Sequence, residues 1–350
     1  MDKKFLNDLL NTRSPTGCEK ELNDVVEKYV KPFADDFKKD VLGNRIATLN
    51  GSSKKTLMLA SHSDEIGFII TSIDANGYLY FDKLGGHDDC MIAGRRVNIL
   101  TKNGIVRGVT GKKAIHLMTP AERKTVPEIG SQWIDIGVSS KAEAQKLVRI
   151  GDSAVFEYSP VELSENRLAS KALDDKAGCY SVFNALKQLS KEKKLCYTVC
   201  AVATTQEEIG TRGAQTSAFG VNPSVAIAVD VEHSSDYPTA KVGVNPDIKL
   251  GGGVVISRGP NMNPVVFERL VECAEKNKIA YQINAEARPT GTDARVIQMA
   301  RSGIPTGLLG IPLRYMHTPS EVCDLRDLQA CADLIAAFAK TLKDKDTFEY

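Results

Sequence analysis

Apolar runs of strand length alternate along this chain with stretches of helical period, and charged residues break into the apolar runs near their C-terminal ends. Helical spacing over residues 4–10 and 19–30 is followed by the strand-like IATLNG and by TLMLASHSDEIGFII, which is interrupted at His62, Ser63, Asp64 and Glu65. From about residue 67 to residue 166 the pattern shortens to alternating segments with hairpin signals at Asn76-Gly77 and Asn103-Gly104. That stretch reads as a small β-rich insert. Beyond it a helix is predicted over 172–189 and strands over 195–203, 224–229 and 304–310, with helices between them. The expected fold is therefore α/β: a mixed, largely parallel sheet flanked by helices. Residues 1–66 and 167–350 form it together, and residues 67–166 are inserted as a separate β-rich domain.

At 350 residues, 42% hydrophobic and 25% charged, the chain is long enough to bury a full core and more than one lobe. A formal net charge of +1 without a long basic run leaves no electrostatic footprint for nucleic acid or anionic membrane, so neither is expected as a partner. Charges interleave with the apolar residues at the N-terminus, which lacks the apolar centre of a secretory signal. No stretch reaches the roughly 20 apolar residues of a membrane-spanning helix. A cytoplasmic location is expected. The eight cysteines then read as reduced thiols. Cys196 and Cys200, on one face of the strand predicted over 195–203, read as core packing rather than metal ligands.

Four predicted strands deliver acidic or imidazole side chains at or just past their C-terminal ends, where open α/β sheets build their sites. Residues 195–203 lead into Thr204-Thr205-Gln206-Glu207-Glu208, and 224–229 end on Asp230. Residues 304–310 lead to His317, and 56–60 lead to His62 and Asp64. Each has an ordinary reading: a lone histidine at a strand end is usually only polar, and a Glu-Glu pair is usually a solvated loop. The convergence of four such ends argues for a site. Asp174 and Asp175 join from the start of the predicted helix, where an acidic residue commonly caps, a role read for Asp175. Glu232 and His233 offer the same donor chemistry as Asp230, which is preferred because it directly ends its strand.

Imidazole nitrogen and carboxylate oxygen suit zinc, cobalt or manganese, and a bridging carboxylate can hold two such ions about 3.5–4 Å apart. Two histidines far apart in sequence, one per ion, with carboxylates to share, make a coherent set. Of the adjacent pair, Glu207 can take a proton from water while Glu208 ligates, although adjacency alone assigns neither role. In the H-x-D arrangement Asp64 is placed to orient the His62 ring through its second nitrogen.

The segments SHSDEIGF, KALDDKAG, TTQEEIGTRGA, AVDVEHSSDYP, RPTGTDA and RYMHTPSEV run in this order from near residue 60 to near residue 324. Together they resemble the tetrahedral-type metallo-aminopeptidases, which include glutamyl, leucyl and deblocking enzymes within the wider group of di-zinc exopeptidases. The resemblance implies hydrolysis of peptides with a free N-terminus and two divalent ions per subunit, zinc or alternatively cobalt or manganese. It implies His62 and Asp230 on one ion, Glu208 and His317 on the other, Asp174 bridging, Glu207 as general base and Asp64 in support. It also implies that the insert mediates dimerisation and that dimers can build a tetrahedral dodecamer. Asp293, in RPTGTDA, is a candidate substrate-pocket residue, with a plain turn around Gly291 as an equal alternative. His87 and His116 read as structural or surface residues.

Other functions would use some of the same residues. A related deacylase or carboxypeptidase would keep the metal ligands and change the substrate. A glucanase would need two carboxylates about 5–9.5 Å apart flanking the bond, a requirement that histidines do not serve. A non-catalytic scaffold would keep the ligands without turnover.

Overall fold

The computed structural model describes residues 1–240 and 246–350. Among them, eleven strands form one sheet, beginning Asp36–Lys39, Arg45–Leu49, Thr198–Thr204, Thr56–His62, Val225–His233 and Thr306–Arg314. It continues through Glu321–Asp324, Arg167–Ser170 and Val161–Glu162, while Val254–Arg258 pairs off Thr306–Arg314 and carries Tyr281–Ala285 beyond it. The four central strands, from Thr198–Thr204 to Thr306–Arg314, are parallel. This is the expected α/β architecture with a largely parallel centre.

The central strands are nearly continuous apolar runs because helices cover both faces. Alternate residues feed two cores. Leu57, Leu59, Ile227, Val229, Leu309 and Ile311 face the helices Leu173–Leu189 and Leu325–Thr341. Met58, Ala60, Ala226, Ala228 and Leu308 face Arg212–Val221 and Ala294–Ile297. Two strands outrun their predicted ends. Val225–His233 and Thr306–Arg314 pair with each other from Ala226 opposite Thr306 to His233 opposite Leu313. Asp230 thus lies inside its strand rather than ending it, which corrects the reason for preferring it as a ligand. On its other side the same strand pairs with Thr56–His62 only as far as Ala228 opposite Ala60. The two strands part there, and Asp230 and His62 face the opening.

The strand predicted from residue 195 begins at Thr198, so Cys196 precedes it; all eight cysteines are free thiols. In the helix Leu173–Leu189, Asp174 and Asp175 have non-helical backbone angles. The Asp175 carboxylate accepts a hydrogen bond from the Gly178 amide at 2.9 Å, the cap role read for it.

Six antiparallel strands, Gly67–Ile73, Leu79–Leu84, Gln132–Asp135, Gly104–Lys112, Arg96–Thr101 and Ser153–Phe156, close into a separate barrel. Its interior is filled by Phe68, Ile70, Phe81, Val97, Ile99, Ile134 and Phe156. Hairpins form at both Asn-Gly signals, where Gly77 and Gly104 take positive φ. Val161–Glu162, within the 67–166 stretch, pairs with Arg167–Ser170 in the main sheet. No helix among the described residues is long and apolar enough to cross a membrane.

Candidate active site

His62 is the last residue of its strand and is buried. Its Nδ1 donates to the main-chain carbonyl of Asp64 at 3.0 Å, which aims Nε2 at Asp174 Oδ1, 2.9 Å away, and toward Asp230 Oδ1 at 4.0 Å. On the other side of Asp174, His317 Nε2 lies 3.2 Å from Oδ2 and 3.6 Å from Glu208 Oε2. The two oxygens of Asp174 therefore face two groups, His62–Asp174–Asp230 and Asp174–Glu208–His317, each with its donor atoms within 4.8 Å of one another. Tetrahedral N and O ligands about 2.0–2.2 Å from an ion lie roughly 3.3–3.6 Å apart. The spacings here, from 2.9 to 4.0 Å, bracket that range.

Charge points the same way. Burial and then the repulsion of Asp230, Asp293 and Asp64, only partly offset by His62, push Glu207 up to about 10. Burial, opposed by His62 but reinforced by Asp174, pushes Asp230 up to about 8. Burial and the Asp174 charge also raise Glu208. Asp174 is held below the usual carboxylate range: burial opposes this, but hydrogen bonds to His317 and His62 outweigh it. Glu208 Oε1 is buried without a hydrogen-bond partner among the described residues. Crowded, desolvated carboxylates with an orphaned oxygen are what divalent cations neutralise, so the donor set fits them.

Other carboxylates hold this set in place. The Asp64 carboxylate is 3.5 Å from His62 Nδ1, and its closer bonds go elsewhere. It accepts from the Glu207 amide at 2.9 Å, the Glu208 amide at 3.1 Å and the Thr16 hydroxyl at 2.8 Å. Its main chain orients the imidazole, and its side chain fixes the Glu207-Glu208 turn. Glu321, to which the sequence reading gave no role, accepts from the Asp174 amide at 3.1 Å and the His317 amide at 2.8 Å. Its position four residues after His317 was the available signal. Glu19, also missed, accepts from the Gly17 and Gln206 amides; burial, then Asp64, pushes it up to about 7. Glu65 is buried in an ion-pair cluster with Lys171 and Lys176.

The barrel supplies one wall. A Cβ at Gly86 would lie 3.0 Å from His317 Nδ1, and one at Gly85, where φ is +80°, would lie 3.1 Å from Glu208 Oε2. Both glycines let the barrel main chain approach His317 and Glu208. His87, next in sequence, stacks on Phe68 and donates to the Gly67 carbonyl, a structural role; His116 is exposed.

Asp174, Glu207, Glu208, Asp230 and His317 open onto a cavity of about 420 Å³, which extends past Glu232, Ser257, Glu286 and Arg295. Thr290, Gly291 and Thr292 line it. Asp293 is not in the lining; it is buried and accepts from the Thr204 hydroxyl at 2.6 Å.

A largely parallel α/β sheet whose strand ends gather two histidines around a shared carboxylate, beside a further free glutamate, defines the class of metal-dependent hydrolases. Residues 43–334 match the M42 glutamyl aminopeptidase family, and the chain belongs to that family and is an aminopeptidase. It is 36% identical over 349 residues to the lysyl aminopeptidase of Pyrococcus furiosus, with 99% of each chain covered. An aminopeptidase from the archaeon Desulfurococcus kamchatkensis superposes with a TM-score of 0.91 at 37% identity, over 98% of this chain and 95% of that one. The TET1 peptidase of Pyrococcus horikoshii, which can assemble into a tetrahedron or a large octahedral shell, superposes with a TM-score of 0.87 at 33% identity, over 97% and 99%.

Proposed function

We propose that this protein is a co-catalytic two-metal aminopeptidase that removes residues from peptides with a free N-terminus. The carrying observation is Asp174, whose two oxygens face separate imidazole–carboxylate groups. His62 and Asp230 would share one divalent ion with Asp174, and Glu208 and His317 the other. When bound, such ions supply Lewis acidity that polarises the scissile carbonyl and makes water more acidic; zinc, cobalt and manganese all suit these donors.

Glu207 lines the cavity but belongs to neither ligand group. It takes the proton of the attacking water and returns it to the leaving amine. Asp64 holds Glu207 and Glu208 at fixed positions through their amides, and Glu321 does the same for Asp174 and His317. The cavity lining is rich in carboxylates and has one arginine, at Arg295. That balance favours a substrate amine over the terminal carboxylate that a carboxypeptidase would bind. It disfavours a glucanase too, because the carboxylates cluster with histidines rather than flanking a bond as a lone pair.

The same reading makes residues 1–66 and 167–350, joined by the strand Val161–Glu162, the catalytic domain and the barrel within residues 67–166 a dimerisation domain, with dimers assembling further as in the TET1 peptidase. Eight free thiols suit a reducing, cytoplasmic setting.

The test is turnover of aminoacyl-anilides before and after exhaustive chelation, and after return of zinc, cobalt or manganese, beside N-acetylated counterparts. Activity should vanish on chelation, return with metal and require the free amine. Equal cleavage of acetylated substrates would favour the deacylase alternative, and activity indifferent to chelation would sink the two-metal mechanism. The names of the relatives divide between glutamyl and lysyl substrates. Residue preference must therefore be argued from this chain's own cavity.

A further inference from the structure

Beyond the ligand groups the cavity follows the sheet. Asp230 and Glu232 are two residues apart on one strand, so both side chains emerge on the same face, about 6.6–6.8 Å from each other along the chain. Both line the cavity. On the neighbouring strand Gly310 makes room for Glu232, since a Cβ there would come within 2.7 Å of the glutamate's own Cβ. On the next two strands out, Val254–Arg258 and Tyr281–Ala285, Ser257 and Asn284 sit opposite each other. The buried Asn284 amide donates to Glu232 Oε2 at 3.0 Å and to Glu286 Oε1 at 2.7 Å, holding the two carboxylates side by side.

Neither carboxylate is paired with a lysine, arginine or histidine among the described residues. Ser257 lines the same end of the cavity, is 1% exposed, and its Oγ has no hydrogen-bond partner among the described residues. A buried hydroxyl left open beside two unpaired carboxylates is a ready acceptor set, the complement of an ammonium or a guanidinium group. Arg295, the cation of the lining, is exposed, where water screens it, whereas Glu232 and Glu286 are half-buried.

Resting on the aminopeptidase reading above, we propose that this end of the cavity selects N-terminal residues with a cationic side chain, lysine or arginine, whose charge is held by Glu232 and Glu286 with Ser257 accepting a further hydrogen bond. The substrate's reacting end sits at Asp174, Asp230 and Glu207. A four-carbon stem spans the two-residue rise along the strand from Asp230 to Glu232.

The experiment uses the metal-loaded protein and anilides of lysine, arginine, norleucine, leucine and glutamate. Norleucine carries the lysine stem without its charge. For lysine and arginine kcat/KM should exceed that for norleucine by about tenfold or more, chiefly through KM. In Glu286→Gln, and separately in Glu232→Gln, the ratio of lysyl to norleucyl kcat/KM should fall by about tenfold. A purely structural role for these side chains would lower both activities together and leave the ratio unchanged. Norleucyl or glutamyl preference in the unmodified protein, or an unchanged ratio in both variants, overturns the cationic pocket and leaves the aminopeptidase reading standing. Loss of turnover on every free-amine substrate overturns both.

Discussion

Asp64 and Glu207 are both carboxylates beside the ligand set, yet their surroundings give them separable roles. Asp64 spends its oxygens on the amides of Glu207 and Glu208, so Asp64→Ala releases the proposed ligand and the proposed base together. Metal affinity or activity should drop by about 10–100-fold, the usual cost of removing a supporting partner. Glu207 faces the cavity and ligates nothing in either group. Glu207→Gln should keep both ions while kcat falls by about 10²–10⁴-fold. Metal content by mass spectrometry, measured beside anilide turnover, distinguishes the two; normal turnover by Glu207→Gln would remove it as the base. At this scale the sequence was informative where chemistry needs a distinctive side chain. His62, Glu207, Glu208, Asp230 and His317 were visible as polar residues at or past the ends of apolar runs, and Asp174 as an acidic residue at a helix start. Glu321, Glu19 and Asn284 were not, because each works by hydrogen bonds to groups far away in sequence. No local pattern reports such bonds.

Among the elements, period and composition revealed which segments were strands and helices, but partners decided where they ended. Val225–His233 runs past Asp230 because Thr306–Arg314 accompanies it, and it parts from Thr56–His62 because that pairing stops at Ala60. A strand's length is a property of the pair, which one segment's sequence does not contain. The helix Leu325–Thr341 offers a further case. Asp327, in its first turn, accepts from the Gly251 amide at 2.6 Å and the Gly253 amide at 2.8 Å, tying the helix to a distant loop. Burial, opposed by those two hydrogen bonds, pushes Asp327 up to about 7. A raised folded-state pKa means that the folded protein holds the proton more tightly than the unfolded chain. The associated stability is complete below the ordinary value of 3.8 and is lost as pH rises through about 7. Relative to Asp327→Asn, the wild type should therefore lose on the order of 4 kcal/mol of unfolding free energy between about pH 4 and about pH 8. Denaturant titrations of both proteins across that range check it, and parallel pH profiles would show that Asp327 carries no such linkage.

For the whole molecule, the barrel touches the site at Gly85 and Gly86. Its main chain there closes one side of the ligand set. Elsewhere it leaves large apolar side chains in water, with Leu117 at 72%, Val126 at 60% and Ile115 at 57% exposure. These three lie in the stretch between the strands Gly104–Lys112 and Gln132–Asp135, outside the barrel's packed interior. Apolar side chains exposed together in one loop mark a contact surface more often than a free one. If the barrel is the dimerisation unit proposed above, the protein should have a native mass that is an even multiple of 38.1 kDa. Leu117→Asp should then shift the assembly to smaller species in light scattering or native mass spectrometry, because it sets a charge into an apolar contact. Residue 117 is remote from the ligands in sequence and absent from the cavity lining, so turnover of a single aminoacyl-anilide should survive the change. A wild type that runs at 38.1 kDa at all concentrations would refute the assembly, and an unshifted variant would place the contact elsewhere on the barrel.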